Sequence, residues 1–236
     1  MTDDTDEDAA RSDVLAFGRY TPTRSPHARQ RLQEGVYYLE RERVADAEGG
    51  PTHCEVRALF TADAMGLTRK DARDLLWDNR GPAINFHRII LSPRASLGLD
   101  TIEELQRWTR DTMAGYSDHL GRPLEYVAAV HTNVNHWHVH VMVAGGGGIN
   151  PATGKAQDLR FSGHDYKTLK QIGRAMAARI TAPKDAARTL SRQRDMAALV
   201  ERARSRQQGS PVVAQPITAK EEAREGILTR MFGRGR

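Results

Sequence analysis

The 236-residue chain has a single cysteine, Cys54, so no disulfide can form within it, and a reducing cytoplasm fits. His53-Cys54 has no second cysteine with which to build a zinc pair, and we read it as structural. No apolar run approaches the ~18 residues of a membrane helix, so no insertion into a membrane is expected. The start is acidic and lacks an apolar stretch, so no signal peptide is expected. There is no internal repeat. Apolar content is 39%, low for a globular chain, which leaves room for a core and for polar appendages. The net charge is +5, although Asp3, Asp4, Asp6, Glu7, Asp8 and Asp13 crowd the first residues against Arg11 alone. The rest is therefore more basic than the total suggests. A basic body favours a polyanionic partner, nucleic acid first.

What the chain does have is histidine in one place. His131-Thr-Asn-Val-Asn-His136-Trp-His138-Val-His140-Val-Met-Val143 alternates from His136 onward. A strand has a side-chain period of two, so His136, His138 and His140 share one face and Trp137, Val139, Val141 and Val143 the other. Tyr126–Val130 reads as the preceding strand, with His131 at its end. A turn through 132–135 folds the two strands into a hairpin and returns His131 toward the row. A lone histidine in a strand is most simply a polar side chain facing water. Three convergent imidazoles at this spacing instead make a divalent-metal site with open positions.

Around this hairpin the chain reads as follows. Residues 1–26 are polar and Pro-punctuated, and disorder is expected, with a short strand over 14–20. A helix is predicted over His27–Arg43, with Leu32, Val36 and Leu39 as its stripe and Tyr37 and Tyr38 off it on opposite sides. Residues 46–51 form a turn, and 54–60 a short strand or loop. A second helix begins at Thr68 with Asp71 in the capping-box position. Ile84–Leu91 is a strand closed by Ser92-Pro93, placing Ile84, Phe86 and Arg88 on one face and Asn85, His87 and Ile89 on the other. Asp100–Leu120 is a helix with Asp100 as N-cap and Gly121 after its end. Gly145–Gly148 invites a phosphate-loop reading, but the spacing to Gly154-Lys155 is wrong and Ala156 stands where Ser or Thr is needed. The glycines are expected to form a flexible loop beside the histidines. An edge strand is expected over 159–162 and a helix from His164 to Thr181, broken by Pro183. Residues 183–208 read as an Arg-rich helical extension with a thin apolar face (Leu190, Met196, Leu199, Val200). Residues 209–236 read as a flexible basic tail, helical over 219–232.

Three motifs in order carry a resemblance. Tyr38-Leu39-Glu40-Arg41 is similar to a Tyr-Leu-x-Arg nucleophile motif. Phe86-His87-Arg88-Ile-Ile-Leu-Ser92-Pro93 is similar to a middle strand ending in Ser-Pro. His131 through His140 is similar to a metal motif of HUH type. In these the chain resembles conjugative relaxases, the mobilization nucleases of the HUH endonuclease superfamily, over residues 28–182.

That resemblance implies an α+β fold with a central antiparallel sheet and flanking helices. It organises the chain as an acidic N-terminus (1–26), a nuclease domain (27–182), a helical basic extension (183–208) and a tail (209–236). It implies Tyr38 as nucleophile with Tyr37 as understudy, and His131, His138 and His140 as ligands of Mg²⁺ or Mn²⁺. His87 would be a general base or phosphate contact. His136 and Asn133 would lie around the metal or touch DNA, and Arg41 and Arg88 would each be a phosphate clamp or an ordinary surface charge. Asn133 and Asn135 stand where the wider family often carries acidic residues, and an amide can neither accept a proton nor add negative charge.

The implied activity is site- and strand-specific nicking and rejoining of DNA at a transfer origin. It runs through a covalent 5′-phosphotyrosine in a bacterial cytoplasm, with the protein exported bound to its DNA. A free phenol, with a pKa of ~10, needs help to act as the nucleophile. The substrate would be single-stranded or unwound. Accessory DNA-binding proteins and a type IV secretion coupling protein would supply unwinding and export. Three other readings stay open: a rolling-circle initiator or transposase of HUH type, a non-catalytic DNA-binding accessory protein derived from a relaxase, and a structural metal-binding protein.

Overall fold

The computed structural model describes residues 13–44, 53–132 and 137–208. The chain divides into two compact units, Met1–Asp185 and Ala186–Arg236. The first is α+β, as expected. Its six-stranded sheet has β6 (Ile84–Pro93), β8 (His138–Ala144) and β7 (Tyr126–His131) in the middle. β1 (Val14–Pro22) forms one edge, and the short β4 (Leu59–Phe60) and β5 (Met65–Leu67) the other, with every pairing antiparallel.

The middle strands are apolar on both faces because both are covered. On one face Phe86, Val127, Ala129, Met142 and Ala144 pack under α1 (Ala28–Glu40) and α2 (Arg69–Asp78). On the other, Ile89, Leu91, Val139, Val141 and Val143 pack under α3 (Ile102–Leu120) and the start of α4 (Gly163–Gln208). α1 buries Ala28, Leu32, Gly35, Val36 and Leu39, one stripe of an amphipathic helix. Gly35 lets that stripe reach the sheet: a Cβ there would sit 2.9 Å from Met142 Cε.

Several details differ from the reading of the sequence. The short strand expected over 14–20 is present and runs on to Pro22, as the edge strand paired to β6 from Val14↔Pro93 onward. The strand is held because Val14 and Ala16 are buried in the α3/α4 core while Leu15 and Phe17 stay exposed. α1 ends at Glu40 rather than Arg43: Arg41 turns extended, and β2 (Arg41–Val44) pairs with β3 (His53–Val56). α2 starts with the expected Thr68/Asp71 capping box. α3 is capped by Thr101, which accepts from Glu104 N at 3.1 Å, and not by Asp100.

Pro183 does not break α4. A proline removes one amide donor, and Lys184 holds the next turn by ion pairs to Glu104 at 2.5 Å and Asp100 at 3.4 Å. Gly145 closes β8 where a Cβ would lie 2.0 Å from Ile84 O, and Gly146–Ile149 forms β9 with β10 (Ala156–Asp158). The glycines thus stand at the far end of β8 from His138, not beside the histidines. Residues 159–162 are irregular, not an edge strand. In the second unit the described residues 186–208 are helical, with Leu190, Met196, Leu199 and Val200 exposed. The expected tail lies outside the described residues.

Candidate metal centre

The hairpin register sets the histidines together. His131 at the end of β7 lies opposite His138 at the start of β8, and His140 follows two residues on, on the same face. Ring centroids are 4.5 Å apart for His131–His140, 4.9 Å for His138–His140 and 5.6 Å for His131–His138. Nε2 of His138 and Nε2 of His140 are 3.1 Å apart. Nitrogens bound to one ion at ~2.0–2.1 Å sit ~3.0–3.4 Å from each other, so this spacing already suits a shared cation. One nitrogen from each of the three rings falls within 4.8 Å of the others.

His131 is tied down from behind. Its Nε2–H donates to the carbonyl of Leu39 at 2.8 Å, which leaves Nδ1 with the lone pair. The carbonyl belongs to the residue after Tyr38, so one bond couples the histidine cluster to the helix that carries the tyrosine. Burial lowers the pKa of His131 from its ordinary value. Burial, with repulsion from His131 and His138 added, pushes His140 down to about 3. Both rings are therefore neutral at physiological pH, the state that ligates metal.

Tyr38 is 57% exposed, with its ring in edge contact with His140 at 5.3 Å and 6.4 Å from His131. Tyr37, one residue earlier, points elsewhere. The Arg41 and Arg69 guanidinium carbons lie over its ring at 4.6 and 5.0 Å. Arg41 is thus engaged with Tyr37 rather than reaching the histidines. Beside Tyr38 and His140 runs a groove of 330 Å³ whose walls include Phe17, Arg19, Arg88 and Ile90. Arg19 and Arg88 are direct cross-strand partners, both exposed, and neither has an ion pair among the described residues. Like charges set opposite each other in a sheet are unfavourable, so an anion is what this pair lacks.

The structure takes His87 out of the site. It pairs with Val143 on the α3/α4 face, is 3% exposed, and donates from Nε2 to Leu159 O at 2.8 Å. The period-two pattern of β6 dictates this, since Arg88 and Ile90 face the groove. The general-base or phosphate-contact role expected for His87 is therefore dropped. His136, Asn133 and Asn135 lie outside the described residues.

Reasoning from sequence missed Glu42, Arg19 and Phe17. Glu42, 1% exposed, accepts from Thr132 N–H and from Arg57, fixing the chain immediately after His131. Arg57 also reaches Thr132 Oγ1 at 2.8 Å. Nothing in the sequence could show this while Glu42 was assigned to a helix. Arg19 and Phe17 lie in the short strand expected over 14–20, but nothing local to that strand shows that it pairs beside Arg88 and Ile90.

The buried histidines give a stability prediction. Burial lowers the pKa of His87, as it does those of His131 and His140. A lowered folded-state pKa gives stability that is present above the unfolded value of ~6.5 and lost as pH falls below it. The chelated protein is expected to melt at a lower temperature at pH 5.5 than at pH 7.5. Equal melting temperatures would contradict the buried neutral state of all three.

No family model and no curated protein matches the chain. Among solved structures, one described as the molecular basis of vancomycin resistance transfer in Staphylococcus aureus matches at 10% identity and a TM-score of 0.42. It covers 72% of this chain and 93% of that one. TrwC complexed with a 27-mer DNA comprising the recognition hairpin and the cleavage site matches at 12% identity and 0.45, covering 72% and 69%. The metal-bound conjugative relaxase TrwC with oriT DNA matches at 12% and 0.44, covering 72% and 70%.

Proposed function

We propose that this protein nicks and rejoins one strand of DNA through a covalent tyrosyl phosphate, as a relaxase of HUH type, and so starts transfer of a mobile element. The observation that carries the reading is the exposed Tyr38 ring at 5.3 Å from His140, at the mouth of a groove that also presents Arg19 and Arg88. A nucleophile, a ligand set and an unpaired cationic pair converge on one face, in the order that the sequence motifs imply.

The three imidazoles fit a divalent cation, and His131, His138 and His140 would hold it. When bound, such an ion polarises a phosphate and offsets charge in the transition state. The remaining steps fall to the chain itself. Arg19 and Arg88 draw the backbone of a single strand into the groove, and Phe17 offers a face for a base to stack on. Leu39 O, through His131, keeps Tyr38 in register with the ligands. The Tyr38 oxygen attacks phosphorus, forming an O–P bond as the P–O3′ bond breaks. The phenolic proton leaves to water in the groove, and the departing 3′ oxygen takes one up. The product is a 5′-phosphotyrosine and a free 3′-OH. One phosphoester has been exchanged for another, so the reverse reaction rejoins the strand.

The test is adduct formation. Protein and labelled single strands tiling the element's candidate transfer origin are incubated with Mn²⁺ and run under denaturing conditions. A shifted band that chelator removes, with phosphate mapped to a tyrosine, is the expected result. DNA binding without any band would point to the accessory-protein reading instead.

The cationic pair makes a separate prediction. Arg19→Ala and Arg88→Ala should each flatten the log–log salt dependence of single-strand binding by ~0.7, one phosphate contact apiece. Neither should lower the melting temperature, because each relieves a like-charge pair. An unchanged slope in both variants would remove these arginines from the DNA path.

A further inference from the structure

A second cavity, of 360 Å³, opens on the opposite face of the sheet, and the reaction proposed above does not use it. Its volume falls in the ~300–1,000 Å³ range of small-ligand pockets. Tyr20, His87, Arg160, Phe161 and Tyr166 are among its walls. Gly18 and Arg19 border both this cavity and the groove at the metal centre, so the backbone of edge strand β1 is what separates them. β1 is the edge strand of the sheet and exposes Phe17 (56%) on one face and Tyr20 (61%) on the other.

The walls have a particular chemistry. The Phe161 ring stands edge-on to His87 at 4.8 Å and lies 5.6 Å from Tyr166, and Tyr20 is 6.2 Å from His87. His87 gives its Nε2–H to Leu159 O, which leaves Nδ1 as a buried acceptor. One cation stands at the rim, and the next is Arg19 on the groove side of β1. Arg160 has a 73% exposed side chain and only a 3.6 Å pair to Asp158, and Arg19 has no ion pair among the described residues. Aromatic surfaces, one inward acceptor and a rim guanidinium are what a nucleobase with its phosphate requires.

We infer that this cavity is a nucleobase subsite. It takes a base of the same single strand whose scissile phosphate lies at Tyr38, the strand crossing β1 between the two faces. The base stacks on Tyr20 and gives an exocyclic amine proton to His87 Nδ1, while Arg160 holds the phosphate on this face and Arg19 the one on the groove side of β1. The subsite rests on the single-strand reading of the groove but adds to it a base-reading element on the other face.

Photocrosslinking tests it with the full chain. Single strands carrying 5-iodocytosine at successive positions are bound in chelator, irradiated, and the adducts mapped by mass spectrometry. Adducts at Tyr20, Phe161 or Tyr166 are expected, and Tyr20→Ala should weaken binding about tenfold, the scale of one lost stacking contact. Adducts confined to Phe17 and Tyr38 would overturn the subsite and leave the groove intact. No binding and no adduct would sink both. A concentration-dependent dimer lost in Tyr20→Ala, with no adduct on that face, would show the β1 edge to be a protein interface and overturn the subsite.

Discussion

Tyr38→Phe is expected to remove the covalent DNA adduct entirely, while Tyr37→Phe keeps it. The two tyrosines are adjacent and both exposed, at 57% and 45%, so exposure does not choose between them. Helix geometry does. Successive residues on a helix point ~100° apart, and the buried stripe of Leu32, Val36 and Leu39 fixes which way α1 is turned. That orientation sends Tyr38 to His140 and Tyr37 between Arg41 and Arg69. A phenylalanine keeps the ring and its contact with His140, so strand binding should change little. Only the attacking oxygen is lost. Loss of a nucleophile costs ~10⁶-fold in a well-studied hydrolase, so no band should be visible. If the adduct survives in Tyr38→Phe and vanishes in Tyr37→Phe, α1 must rotate when DNA binds. Tyr37→Phe has its own expected signature: the cation–π stack remains, so both folding and adduct yield should be near those of the parent.

How much of this was legible beforehand depends on the range of the signal. The hairpin was readable because its cue is local: strict alternation from His136, with apolar residues on the buried face. α2 and the Gly121 end of α3 were readable for the same reason, since caps are chosen by residues within one turn. Pro183 misled because its local meaning is to break a helix, and the ion pairs from Lys184 to Asp100 and Glu104 cross 80 or more positions in sequence. His87 misled in a different way. The strand pattern correctly put it opposite Arg88, yet motif resemblance drew it toward the metal, and the two statements were in conflict. The edge strand over 14–20 was legible by its own alternation. Its partner was not, because Arg19 meets Arg88 from 69 positions away. Glu42 could not be found, because its partner Thr132 is 90 positions away.

His138→Ala should abolish metal binding while leaving the metal-free fold alone. Of the three histidines it is the cleanest to remove. His131 is 3% exposed and holds Leu39 O, so its loss would also loosen α1. His138 stands half-buried at the first position of β8, where the strand begins. Altering partners that merely orient a ligand costs ~10–100-fold in affinity, so losing a ligand outright should cost at least the upper figure. The effect can be read as heat stability. At a metal concentration 100 times its dissociation constant, binding adds ~2.7 kcal/mol to the folded state. For a domain of this size that raises the melting temperature by ~5–10 °C. A 100-fold weaker site at the same concentration retains only ~0.4 kcal/mol, and the rise nearly disappears. The ion matters as well. Mg²⁺ prefers oxygen and sheds water reluctantly, whereas imidazole suits the transition metals. No carboxylate belongs to the cluster found among the described residues. Mn²⁺ should therefore stabilise the parent at lower concentration than Mg²⁺, and His138→Ala should erase that difference. An equal response to both ions in the parent would mean that oxygen ligands outside the three rings, from DNA or from residues 133–136, complete the site.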